Sequence, residues 1–141
     1  MTNTTLAQSY LLKATKRLKV VDLLFREEAY SDVVREAQEL VELALKGILR
    51  QVGIEPPKHH DVGGLLVDFR DRLPPRVAAQ AQDLARISKW LRKQREFSFY
   101  GDIDFIPTEE YTEQDALKAI KDARFVVEMA RLVIPGANYD G

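Results

Sequence analysis

The stretch SDVVREAQELVELALKGILRQV, residues 31–52, carries the most regular apolar pattern in the chain. Its apolar side chains recur at intervals of three and four residues, which places them on one face of an α-helix. A helix this apolar along one face belongs at the centre of a helical domain. We therefore predict a central helix from Ser31, its expected N-cap, to about Val52, closed by Gly53. The stripe consists of Val33, Val34, Ala37, Leu40, Val41, Ala44, Leu45, Ile48, Leu49 and Val52.

The rest of the chain divides into four further segments with helical periodicity. Thr112, followed three residues later by Asp115, predicts a capping box, and Asp61 or His60 is the expected cap of a short helix. No segment alternates as a strand does. We therefore predict that residues 1–141 form a single all-α domain, an antiparallel up-and-down bundle of about five helices. The further helices are expected at Leu6–Phe25, Val62–Arg70, Arg76–Phe97 and from Thr112 to about Pro135.

The composition is that of an ordinary soluble globular protein, with 45% hydrophobic residues, 30% charged residues and a net charge of −1. The balance of charge does not point to a nucleic-acid partner. The absence of cysteine excludes disulfides, thiolate zinc sites and a cysteine nucleophile. No apolar run approaches the roughly 20 residues of a membrane span, and the first residues lack the layout of a signal peptide. We expect a cytoplasmic protein with no cofactor, metal, membrane or DNA partner.

A basic cluster marks the stretch RISKWLRKQREFSFYGD, residues 86–102. Leu84, Ser88, Leu91 and Arg95 follow each other at helical spacing, so a stripe that begins apolar ends in a guanidinium. A permanent cation on an inward face needs a partner. The dipole of the helix accounts for part of the cluster, because it favours cations near the C-terminal end. The basic residues are Arg86, Lys89, Arg92, Lys93 and Arg95.

Two other groups of polar residues leave alternatives open. Glu42 and Lys46 are spaced to form an ordinary surface ion pair, worth a few tenths of a kcal/mol, or to belong to a site. His59 and His60 are adjacent, and no helical HExxH spacing makes them zinc ligands. They serve either in a helix cap or as a source of imidazole for catalysis.

Four motifs, taken in order, resemble the HEPN family of prokaryotic helical domains over most of residues 7–134. The resemblance implies an antiparallel helical bundle that forms homodimers and is often produced alongside a minimal nucleotidyltransferase. It also implies an association with nucleotide binding or with RNA cleavage in toxin–antitoxin systems. The motifs are AQELVELALKGILRQVG, PPKHHDVGGLL, REFSFYGD and YTEQDALKAIKDARFVVE.

The RNA-cleaving branch of this family has an arginine followed, after four to six residues, by a histidine. Arg95 matches the arginine, but no histidine follows it, and Tyr100 stands after a gap of four residues. A tyrosine with its ordinary pKa of about 10 is almost wholly protonated at neutral pH and is a poor general base. An imidazole would have to come from His59 or His60.

The resemblance favours a homodimer that binds a nucleotide or phosphate-bearing ligand and works with a nucleotidyltransferase. Arg95 would hold phosphate by bidentate hydrogen bonds, and Tyr100 would offer a hydroxyl or a stacking face. The chain lacks the Gly-Ser and paired-Asp signature of a nucleotidyltransferase, so it is not expected to transfer nucleotides itself. The alternatives are a metal-independent endoribonuclease toxin and a structural dimer without a ligand site. The candidate binding residues are Arg95, Tyr100, Arg92, Lys89, Glu42, Lys46 and His60.

Overall fold

The computed structural model describes residues 3–56, 58, 61–100 and 111–135, without the side chains of residues 3, 4 and 95–100. Within these residues the chain forms α-helices and one 3₁₀ turn, Arg70–Arg72, and contains no strand, so the all-α prediction is confirmed. None of the helices in this part of the chain has the length and apolar character needed to cross a bilayer. The helices are α1 (Asn3–Arg26), α2 (Tyr30–Gln51), α3 (Val62–Asp68), α4 (Pro75–Ala78), α5 (Ala81–Tyr100) and α6 (Glu113–Val133).

Helix α2 is the central element, as its apolar stripe predicts. It packs against the three other long helices, α1, α5 and α6, and also against α3. Each Val, Leu or Ile buried in this way contributes about 1.5–3 kcal/mol relative to an exposed side chain. The core residues of α2, each at most 1% exposed, are Val33, Val34, Ala37, Leu40, Val41, Ala44, Leu45, Ile48 and Leu49.

Helix α1 runs antiparallel to α6 as well as to α2. Near the start of α1, Gln8 Nε2 donates a hydrogen bond to the carbonyl oxygen of Pro135, just beyond α6, at 2.8 Å. Near its end, Asp22 forms an ion pair with Arg124 of α6 at 2.7 Å. The start of α1 therefore packs near the end of α6, and the end of α1 packs nearer the middle of α6, which confirms that these two helices are antiparallel.

The beginning of α2 differs from the prediction. Its N-cap is Ala29, which offers no capping side chain, and Ser31 is buried inside the first turn. The predicted Ser31 cap was therefore wrong. The physical reason is the tight turn after α1, in which Glu28 adopts a φ of 60° and the N–H of Ala29 bonds to the carbonyl of Leu24. This turn joins the helices so closely that α2 begins before Ser31.

Other helix ends follow the sequence signals. Gly53 has a φ of 85°, and the N–H of Ile54 bonds to the carbonyl of Leu49 at 2.9 Å, which is the pattern of a Schellman motif. At the start of α6 the Thr112 side chain accepts from the N–H of Asp115, and the Asp115 carboxylate accepts from the N–H of Thr112. The predicted stop at Gly53 and the predicted capping box are both confirmed.

The predicted helix at Arg76–Phe97 is two helices in the structure, α4 and α5. The N–H of Gln80 bonds to the carbonyl of Val77, three residues back, so the regular i to i−4 ladder is interrupted between the two. Neither glycine nor proline stands between Arg76 and Phe97, so no sequence signal marks the break. Helix α5 also runs to Tyr100, three residues beyond the predicted end at Phe97, while residues 101–110 lie outside the described residues.

Helix α3 lies very close to α5. The Asp61 side chain caps α3 by accepting from the N–H of Gly63 at 3.1 Å, which confirms Asp61 as the cap. A Cβ atom added to Gly63 would lie 2.8 Å from Ala85 Cα and 3.1 Å from Ser88 Cβ. Only glycine therefore permits this approach, and the approach fixes where Asp61 lies relative to α5.

The paired substitutions Gly63→Ala and Gly64→Ala test this contact. Gly63→Ala is expected to destabilise the fold by about 1–3 kcal/mol, because the new methyl group meets backbone atoms of α5. Gly64→Ala adds a methyl group whose nearest neighbour, Asp61 Oδ2, lies at an ordinary 3.5 Å, so helix propensity should stabilise it by up to about 1 kcal/mol. Urea denaturation followed by circular dichroism measures both changes, and equal effects would contradict the steric argument.

Candidate functional site

Three cationic side chains of α5 line one cleft together with a carboxylate at the start of α3. Lys89, Arg92 and Lys93 are separated by three and one residues, so they project from one side of α5. Together with Asp61 they line a cleft of about 330 Å³. We call it the α5 cleft.

The adjacent, inward face of α5 holds the helix against the core. Leu84 and Leu91 are fully buried and Ser88 is 5% exposed, as the predicted inward stripe requires. Since this face is fixed by packing, the cations beside it are presented by a rigid element. The stripe would continue at Arg95, whose side chain lies outside the described residues.

Asp61 connects α3 to the cations. Its Oδ1 atom accepts from the N–H of Gly63 and lies 3.5 Å from Arg92 Nη1. Both members of this ion pair remain open to solvent, with 38% of the Arg92 side chain and 45% of the Asp61 side chain exposed. An ion pair exposed to this degree contributes at most about 1 kcal/mol to stability.

The charges of the α5 cleft suit an anionic ligand with oxygen acceptors. Arginine presents a planar fork of donors that matches two phosphate oxygens, whereas lysine supplies a mobile point charge. The described part of the lining carries three cations and one carboxylate, a net charge of +2 in a chain whose total charge is −1. In the described part of the chain, no group of three or more His, Cys, Asp and Glu residues could hold a metal ion.

Two of the lining residues are missing from the binding residues that the sequence predicts. Lys93 belongs to the basic cluster, and its position one residue after Arg92 is the signal that could have included it. Asp61 was expected only as a helix cap. Its second contact, with Arg92, joins residues 31 positions apart and has no local signal in the sequence.

Glu42 and Lys46 lie in a different place from Lys89 and Arg92. Together with Arg17, Glu39 and Leu43 they line a smaller cleft of about 170 Å³ between α1 and α2, which we call the α1–α2 cleft. Glu42 and Lys46, both described, form no ion pair with each other, and Glu42 Oε2 lies 3.5 Å from Gln38 Nε2. The structure therefore separates the predicted binding residues of α2 from those of α5.

Arg17 is the most strongly held charge of the α1–α2 cleft. Its guanidinium donates to Glu36 and lies 3.4 Å from Glu39. The hydrogen bond to Glu36 raises the pKa of Arg17 above its ordinary value, against the opposing effect of burial. Because acids of α2 already bind this guanidinium, the α1–α2 cleft offers less unpaired positive charge than the α5 cleft.

The remaining predicted residues fall partly or wholly outside the described residues. Arg95 and Tyr100 belong to the last turns of α5, but their side chains are not described. His60, which immediately precedes Asp61 in the sequence, is not described either, nor is His59. Their predicted roles stay predictions.

Trp90 follows the cleft residue Lys89 in the sequence, and its side chain contacts helix α6. The indole is half-buried, and the Lys118 ammonium lies 4.1 Å from the centre of its ring. Lys118 also pairs with Asp122 at 2.7 Å. The single tryptophan of the chain is thus held in a defined environment one residue from Lys89.

Comparison with known proteins identifies the family of the chain. The chain is 27% identical over 132 residues to a protein of Methanocaldococcus jannaschii named "Putative toxin MJ1304", with 89% of this chain and 86% of that protein covered. No solved structure gives a significant match. The family model described as HEPN domain matches residues 7–133, which is nearly the whole chain. The all-helical bundle and this match together establish that the chain belongs to the HEPN domain family.

Proposed function

We propose that this HEPN protein binds a nucleotide or another phosphate-bearing ligand in the α5 cleft. The observation that carries the proposal is that Lys89, Arg92 and Lys93 line one cleft, in which Asp61 supplies the carboxylate found among the described residues. Its volume of about 330 Å³ is at the lower end of the roughly 300–1,000 Å³ of small-molecule sites. That volume suits the phosphate end of a nucleotide, with the base outside the cleft.

Other predicted residues extend the site in this proposal. Arg95 follows Arg92 by three residues on α5 and would add a second guanidinium for phosphate. Tyr100 would contribute a hydroxyl or a stacking face, and His60, which immediately precedes Asp61 in the sequence, would contribute an imidazole. Glu42 and Lys46 line the α1–α2 cleft, so the proposed phosphate site does not depend on them.

The biological setting we propose is a toxin–antitoxin-like pair with a minimal nucleotidyltransferase as the partner. The name of the M. jannaschii relative supports the toxin-like role, and the resemblance of the motifs to the HEPN family supports the partner. This chain lacks the Gly-Ser and paired-Asp signature of a nucleotidyltransferase. Any nucleotide transfer therefore belongs to the partner.

Calorimetric titration with ATP and AMP tests the phosphate site. We expect ATP to bind more tightly than AMP, because two additional phosphates meet the net positive charge of the cleft, and we expect the emission of Trp90 to change. Arg92→Gln should weaken ATP binding by about tenfold or more, the effect of losing a charged hydrogen bond. Absence of binding at millimolar ATP would contradict the proposal.

A matched control is Arg131→Gln. It makes the same change of charge at an exposed arginine of α6 outside the α5 cleft and should leave ATP binding unchanged. Lys46→Ala, measured in the same way, shows whether the α1–α2 cleft takes any part in binding.

RNA cleavage is the second candidate function. The toxin in the relative's name and the match of Arg95 to the arginine of the RNA-cleaving branch favour it. We nevertheless expect purified protein in EDTA to leave RNA intact at neutral pH, because no histidine follows Arg95 to accept the 2′-hydroxyl proton. Gel electrophoresis of the incubated RNA measures the outcome.

Arg95→Ala decides how any observed cleavage is assigned. Cleavage by the wild type that disappears in Arg95→Ala, with helical content retained, would replace the binding proposal by an endoribonuclease. Cleavage that survives the substitution would exclude a mechanism based on Arg95.

We also propose that the protein is a homodimer. Large apolar side chains that remain 42–50% exposed in the described part of the chain all lie on the adjacent helices α1 and α6, which we call the α1–α6 surface. Large exposed apolar side chains concentrated on two adjacent helices of a small domain are typical of an interface. They are Leu12, Val20, Leu23, Leu117 and Leu132.

Sedimentation equilibrium at micromolar concentration should therefore give twice the chain mass of 16.1 kDa. Leu23→Glu places a charge in the α1–α6 surface and should give the monomer with unchanged helical content. The control Gln82→Glu adds the same charge at an exposed position of α5 and should remain dimeric. If the wild type sediments as a monomer, the dimer proposal is wrong. If it is a dimer but binds no nucleotide, the alternative of a structural dimer without a ligand site is favoured.

A further inference from the structure

Among the described residues that line the α5 cleft, Asp61 is the acidic one, and its contact with α3 restrains its position there. Its Oδ1 atom caps α3 through the N–H of Gly63. Gly63 in turn lies so close to α5 that no side chain fits between them. The carboxylate cannot swing away from the cations without giving up the cap.

The contact between Asp61 and Arg92 is weak in comparison. The distance of 3.5 Å is well beyond the roughly 2.7–2.9 Å of a charge-assisted hydrogen bond, and both side chains are more than one third exposed. Such a pair contributes little to stability. A phosphate whose oxygens lie at the optimal hydrogen-bond distance from the Arg92 guanidinium can therefore replace Asp61 as its partner.

The same carboxylate acts on any anion in the cleft. A ligand held by Lys89, Arg92 and Lys93 is placed within the same lining as a fixed negative charge. Within one cleft the two negative charges lie closer together than the roughly 8–10 Å over which salt screens charges, so they repel each other.

We propose that Asp61 is an internal competitor for the phosphate ligand: it occupies Arg92 in the empty cleft and lowers the affinity of the occupied one. The inference rests on the proposed phosphate site and adds a residue that sets its affinity. Asp61 thus holds the α5 cleft in a weakly binding, readily exchanging state while it caps α3.

Asp61→Asn separates these two roles. Asparagine is as good an N-cap as aspartate, so α3 is retained, but the competing charge is removed. Asp68→Asn is the matched control, since it adds the same unit of charge at an exposed position of α3 outside the cleft lining. Thermal unfolding by circular dichroism verifies that both variants fold as the wild type does.

Calorimetry with inorganic pyrophosphate at constant ionic strength is the test. We expect Asp61→Asn to bind about threefold to tenfold more tightly than the wild type, and Asp68→Asn to bind as the wild type does. Tighter binding by both variants to the same degree would make the effect one of overall charge and overturn the inference.

The other outcomes separate this inference from the proposed function. If Arg92→Gln abolishes binding but Asp61→Asn binds pyrophosphate no more tightly than the wild type, the phosphate site stands and the competitor role of Asp61 is overturned. Weaker binding by Asp61→Asn than by the wild type would make Asp61 a positioning residue for Arg92. No binding of pyrophosphate by the wild type or by Asp61→Asn overturns the phosphate site and the inference together.

Discussion

The burial of α2 on three sides is the constraint on which the rest of the bundle depends. Its apolar stripe is too wide for one partner helix to cover, so α1, α5 and α6 must all pack against it. Only a narrow polar strip is left on α2, and that strip faces α1. For this reason Glu42 and Lys46, which share α2 with the core residues, are confined to the α1–α2 cleft.

Helix α5 shows how packing on one face arranges the chemistry beside it. Leu84 and Leu91 fix the rotation of the helix about its axis, and Arg92 and Lys89 then lie beside the buried face, where they line the cleft. The cations alone would form an ordinary basic helix surface. The close approach of α3, permitted by Gly63, converts that surface into a cleft with a carboxylate at its wall.

The features that could be predicted from the sequence are those whose cause is local. The helical period of residues 31–52, the stop at Gly53 and the box formed by Thr112 and Asp115 each depend on a few neighbouring residues, and the structure confirms them. The tight turn that starts α2 ahead of Ser31 has only a weak local signal, because it places Glu28 in a conformation that favours glycine. The break between α4 and α5 has no such signal.

The α5 cleft was only half predictable for the same reason. Lys89 and Arg92 stand close together in the sequence, but the role of Asp61 depends on a tertiary contact that the bare sequence does not display. The grouping of Glu42 and Lys46 with the α5 cations could not be decided from spacing, because helical spacing relates residues within a helix and not between helices. The position of the α2 strip relative to α5 is a property of the whole bundle.

The two links between α1 and α6 have a consequence for how the domain unfolds. Gln8 with Pro135 and Asp22 with Arg124 tie the first helix to the last over separations of 127 and 102 residues. Helix α1 also packs along α2, so releasing any one of the three uncovers the apolar faces of the other two. These helices should therefore open as one cooperative unit, whereas α4 and the 3₁₀ turn, which are short and carry few buried side chains, can open locally at a smaller cost in free energy.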